Sequence, residues 1–112
     1  MKFVEGVVDD VTVLEVHGRI DSTTAKQLSD RLMALVQASQ SGLVLDLEHI
    51  AYISSAGFRV LLTANRAAAA KRTKLAICGV IGEVKRLFDI GDFTGRFLIC
   101  QTQVDGVGQL RP

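Results

Sequence analysis

The sequence predicts an α/β domain with a mixed, mostly parallel sheet and elements in the order β-β-α-β-α-β-α-β. Three observations lead there. Apolar residues switch repeatedly along the chain between the two-residue period of strands and the three- and four-residue steps of helices. Two β-rich runs at the start, FVEGVV and VTVLEVH, flank Asp9-Asp10 as the arms of a hairpin flank its turn. Each later strand run is separated from the next by a helical stretch, which implies parallel strands joined by right-handed crossovers. With 112 residues, 48% of them apolar, the chain suits one core and is too short for two, so residues 1–112 are expected to form a single domain.

The hairpin comprises residues 2 to 8 and 11 to 17, the first strand lying at an edge of the sheet. In the second, Leu14 and Val16 point to one face and Glu15 and His17 to the other. Gly18 to Thr24 reads as a loop, in which Asp21 either caps the next helix or touches a partner, and Thr24 with Gln27 fits a capping box. The helix that follows carries Ala25, Leu28, Leu32, Leu35 and Val36 on one face and ends near Ser41-Gly42. The third strand, Leu43 to Glu48, holds Asp46 near its C-terminal end, because a central strand tolerates aspartate poorly. That end is expected to lie near the next loop, where Asp46 would orient the backbone or act on phosphoryl chemistry.

Ile50 to Leu62, IAYISSAGFRVLL, is the stretch of greatest functional interest. Ser54 and Ser55 stand where an apolar strand gives way to a helix that runs to about Arg72, with Phe58, Leu61, Leu62, Asn65 and Ala68 at helical spacing. A serine at a helix N-terminus accepts a bond from an unpaired backbone N–H, and one serine is enough for that. The same position suits an added phosphate, since free N–H groups and the positive end of the helix dipole favour negative charge. Arg59 follows Ser55 by one turn on the same face. Beyond it come strand KLAICG from Lys74, a helix from Gly82 to Asp92, strand RFLICQ from Arg96, and a tail in which Val104, Val107 and Leu110 allow a short last helix.

Composition excludes several functions. Thirteen basic and twelve acidic residues leave a net charge of +1, with no general attraction to nucleic acid or anionic membrane. No apolar run is long enough to span a bilayer, so a cytoplasmic protein without membrane insertion is expected. Cys78 and Cys100 read as small core hydrophobes, and His17 and His49 are not spaced as a metal pair, so neither metal nor cofactor is expected. SSAG is not a G-x-S-x-G elbow and no phosphate-binding loop occurs, which argues against an enzyme.

The run LVLDLEHIAYISSAGFRVLL, preceded by HGRIDSTTAKQL, resembles the STAS domain of bacterial anti-sigma-factor antagonists, over nearly the whole chain. In that family a serine pair heads the second helix and its second member takes a phosphate, here Ser55 rather than Ser54; an acidic residue after the second strand is matched by Asp21. Two positions depart from the common pattern: Ile53 precedes the pair where aspartate is frequent, and Ala56 follows it, with Gly57 one place later. The resemblance implies a STAS-like fold and a signal-transduction protein of transcription regulation. Its unphosphorylated form would bind an anti-sigma factor that is also a serine-protein kinase and so free the sigma factor. Phosphorylation at Ser55 would end binding, and a metal-dependent serine phosphatase would reset the switch. Partner contacts are expected at Asp21, Ser22, Thr23, Ser54, Ser55, Gly57 and Arg59. The alternative is a constitutive STAS subunit of a lipid-transport or transporter complex, in which the serines only cap.

Overall fold

The computed structural model describes residues 1–39 and 41–112. Strand β1 (Lys2–Val8) pairs antiparallel with β2 (Val11–Ile20) through Asp9 and Asp10, both at positive φ, the backbone required by a two-residue hairpin turn that follows the twist of its strands. Helix α1 (Ala25–Ala38) leads to β3 (Leu43–Asp46), then to β4 (Ile50–Ile53), α2 (Ser55–Ala70), β5 (Leu75–Cys78), α3 (Gly82–Ile90), a single 3₁₀ turn at Thr94–Arg96, β6 (Leu98–Cys100) and α4 (Gln103–Leu110). The strand order is β1-β2-β3-β5-β6, parallel from β2 onward, with β1 at the edge.

Burial assigns the two faces. Leu14, Val16, Leu43, Leu45 and Ile77 meet Leu28, Leu32 and Val36 of α1, Phe58, Leu61 and Ala68 of α2, and Val84 and Phe88 of α3 in one core. The alternate strand positions Val11, Val13, Val44, Ala76 and Cys78 point to the other face, where Val107 and Leu110 of α4 cover them. The last helix forms despite its glycines, and one of them is useful: a Cβ on Gly106 would stand 3.0 Å from both methyl groups of Val44, so glycine lets α4 lie close on the sheet.

The sheet has one strand more than the sequence pattern shows. The four residues IAYI form β4, which pairs in parallel with the far end of β2, Gly18 opposite Ile50 and Ile20 opposite Ile53. Strand β2 therefore continues to Ile20, through Gly18 at φ +121, where the sequence suggests a loop from Gly18 onward. Strand β3 stops at Asp46 rather than Glu48.

Candidate functional site

The additional pairing of β2 with β4 builds the site. It brings the Asp21–Thr24 turn, which follows β2, beside the serine pair, which follows β4; the Ser54 N–H donates to the Ile20 carbonyl at 2.8 Å. Ser54 has extended backbone angles, and its hydroxyl accepts the Gly57 N–H at 3.3 Å, so it is the N-cap of α2. Ser55 is then the first residue of the helix. It is exposed, and its hydroxyl has no hydrogen-bond partner among the described residues. Gly57, one turn in, lies buried against the end of β2: a Cβ there would stand 2.5 Å from Ile20 Cγ2 and 2.8 Å from Ile53 Cγ1.

Asp21 organises the neighbouring turn. Its Oδ1 accepts the Thr23 N–H at 2.9 Å and the Thr23 hydroxyl at 2.6 Å, and its Oδ2 accepts from Arg19 Nε at 3.2 Å. The Thr23 hydroxyl, then its amide, hold the carboxyl below the usual aspartate range, so Asp21 carries its charge at neutral pH. The Arg19 guanidinium also lies 5.0 Å from the centre of the Tyr52 ring, tying the turn to β4 by a cation–π contact. Ser22 and Thr23 are exposed at the tip.

The capping box expected of Thr24 and Gln27 does not form. Thr24 already has helical backbone angles, which turn its hydroxyl away from the amides ahead; it accepts the Asp21 N–H at 3.0 Å and donates to the Arg19 carbonyl at 2.9 Å. Helix α1 starts instead from the Asp21 carbonyl, which accepts the Thr24 and Ala25 amides.

Asp46 is also placed differently from the sequence expectation. It ends β3, as expected, but it shares a strand face with Val44 under α4, opposite to the face of Leu45 and the helices α1 to α3. Its Oδ1 accepts the Glu48 N–H at 2.9 Å and its Oδ2 accepts from Gln103 Nε2 at 2.7 Å. It orders the turn after β3 and the start of α4, not the serine loop. Cys78 neighbours it on β5; burial first, and then the charge of Asp46, push its thiol up to about 12, which suits a core residue and not a nucleophile.

From Ser55 a shallow groove of about 370 Å³ runs between α2 and α3, past Tyr52, Phe58, Arg59, Leu62 and Ile90. Phe58 forms its floor, stacked on Phe93 with ring centres 4.0 Å apart and edge-on to Phe88 at 4.9 Å. Ile90 stands 68% exposed at its rim, a large apolar side chain left in water beside a polar site. Arg19, Ile90 and Phe93 are additions to the residues singled out by sequence. A polar position in a strand end and the last turn of a distant helix give no local signal of such proximity.

A second polar cluster lies on the α4 side. The turn into β4 carries His49 back to β2, where the Gly18 N–H donates to the His49 carbonyl at 3.2 Å. The His17 and His49 rings stack with centres 4.3 Å apart, and Nε2 of each approaches Glu15 Oε1, at 2.8 Å and 3.3 Å respectively. Residues far apart in sequence thus meet through strand pairing.

Comparison with known proteins agrees with this architecture. The STAS domain family model matches residues 4–106. The candidate anti-sigma factor antagonist BtrV of Bordetella bronchiseptica is 30% identical over 103 residues, which cover 92% of this chain and 89% of BtrV. An anti-sigma factor antagonist from Mycobacterium paratuberculosis superimposes with a TM-score of 0.89 at 24% identity, over 99% of this chain and 94% of that one. The phosphorylated form of the Bacillus cell fate determinant SpoIIAA gives 0.72 at 14% identity, over 98% of this chain and 100% of that one. By sequence match and by fold, the chain belongs to the STAS domain family, among the anti-sigma factor antagonists.

Proposed function

We propose that the chain is a phosphorylation-controlled antagonist: unmodified, it binds an anti-sigma factor with serine-kinase activity in the cytoplasm and thereby frees a sigma factor. Phosphorylation of Ser55 by that partner ends the complex, and a metal-dependent serine phosphatase restores it. One observation carries this reading. Ser54 supplies the cap, so the adjacent Ser55 is left exposed at the head of α2, its hydroxyl without a hydrogen-bond partner among the described residues. A phosphate there adds about −1.5 to −2 charges, tolerable in water beside the free N–H groups of the helix and costly when pressed against a fitted surface.

Incubation with the cognate kinase and ATP is expected to add one phosphate, at Ser55. Tandem mass spectrometry locates it; a phosphate on Ser54, or on Ser22, Thr23 or Thr24, would refute the assignment. No modification by a partner that nevertheless binds would favour a constitutive subunit of a lipid-transport or transporter complex.

In this reading the docking surface comprises Asp21, Ser22, Thr23, Ser54, Ser55 and Arg59, extended along the groove to Ile90; Gly57, expected from sequence as a partner contact, is buried and instead lets α2 lie close on the end of β2. Asp21→Ala separates its two roles. The turn loses the bonds from Thr23 and Arg19, so the urea midpoint should fall modestly. Affinity for the anti-sigma partner should fall by more than that loss of stability accounts for. Calorimetry of binding beside urea titration decides it, and equal losses would reduce Asp21 to a turn former.

A further inference from the structure

We propose that Glu15, His17 and His49 bind one divalent transition-metal ion of the kind imidazole favours, with Zn²⁺ the natural probe. Glu15 and His17 are two residues apart on β2 and therefore project from the same face of the strand. His49 reaches them from the turn before β4. One donor atom from each of the three lies within 4.8 Å of the others. Around a tetrahedral ion with Zn–N and Zn–O bonds of about 2.0–2.1 Å, ligand atoms stand about 3.3 Å apart. The Nε2-to-Oε1 distances of 2.8 Å and 3.3 Å are close to that spacing, and turning the exposed His49 ring out of the stack would bring its Nε2 lone pair onto an ion held by Glu15 and His17.

The surroundings orient the donors. The imidazole planes differ by only 7°; His17 Nε2 is hydrogen-bonded to Glu15 Oε1, and His49 Nε2 lies 3.3 Å from the same oxygen. The other oxygen of Glu15 accepts from Gln103 Nε2 at 3.2 Å, and Gln103 also donates to Asp46 at 2.7 Å. A carboxylate fixed this way keeps Oε1 toward the histidines, the outer hydrogen bonding that metal ligands characteristically have. Two histidines and a glutamate leave the fourth position for water or for a group from another molecule.

The test uses the untagged chain of residues 1–112, stripped with chelator and titrated with zinc chloride near neutral pH by calorimetry. One equivalent should bind saturably, and Zn²⁺ should raise the melting temperature. His49→Ala, at an exposed turn, and Glu15→Gln should each weaken binding at least tenfold, and Gln103→Ala should weaken it less. Circular dichroism of the three metal-free variants checks that each retains the fold. Absence of saturable binding to the wild-type chain, or equal affinity in wild type, His49→Ala and Glu15→Gln, would overturn the proposal.

Discussion

Ser55→Asp should bind the anti-sigma partner at least tenfold more weakly than the wild-type chain, whereas Ser55→Ala should bind normally and lose its response to ATP. The two variants differ in charge at one exposed position. Alanine removes a hydroxyl with no partner among the described residues, while the Ser54 cap stays in place, so little stability is at risk. Even loss of a cap costs only about 1 kcal/mol against the 5–15 kcal/mol typical of a domain. Aspartate is well placed in the free protein, since the first turn of a helix favours negative charge. In a complex the same carboxylate must give up water, and a tenfold loss of affinity requires only about 1.4 kcal/mol of that cost. Equal affinity for wild type and both variants, with matching urea curves, would remove the switch and leave constitutive binding.

The periodicity that reveals α1 and α2 in the sequence reflects packing on a single core, and every residue assigned inward on α1 is wholly or partly buried. Strand β4 has no such record. Four residues, IAYI, between two turns hold at most two periods of alternation, and the strand exists only because β2 continues past Gly18 to meet it. Without that pairing, the sequence places Asp46 beside Ser55, since both are near the ends of adjacent segments. The pleat decides otherwise: Val44 and Asp46 share one face, and Ser55 begins a helix on the other.

The serines were legible because capping is local, needing only the residue, its place before an amphipathic run, and the amide three residues on. Thr24 shows the limit of the same rule. Its spacing to Gln27 fits a capping box, yet Asp21 turns the chain three residues earlier, and its backbone carbonyl accepts the Thr24 and Ala25 amides. The meeting of Glu15, His17 and His49 depends on parallel registers and a turn, and no short-range pattern reports those.

Gly57→Val should be the most destabilising single change at the site, by about 2–3 kcal/mol, with binding lost together with the placement of α2. In the native chain, the space a Cβ would occupy at Gly57 is already filled: Ile20 Cγ2 would be 2.5 Å away and Ile53 Cγ1 2.8 Å. Both isoleucines are essentially fully buried, so neither can swing into solvent. Overpacking of this kind costs about 1–3 kcal/mol. Against it stands helix propensity, which favours alanine over glycine by about 0.8–1.0 kcal/mol and valine over glycine by less. Gly57→Ala should therefore show a small net loss, and Gly57→Val, with two further methyl groups and less compensation, a large one. Relief requires α2 to lift from the end of β2, which displaces Ser54, Ser55 and the bond from the Ser54 N–H to the Ile20 carbonyl. Urea titration measures the first effect. Binding measured on the folded fraction measures the second, and Gly57→Val that is as stable as wild type and binds equally well would mean that the helix does not need this close approach.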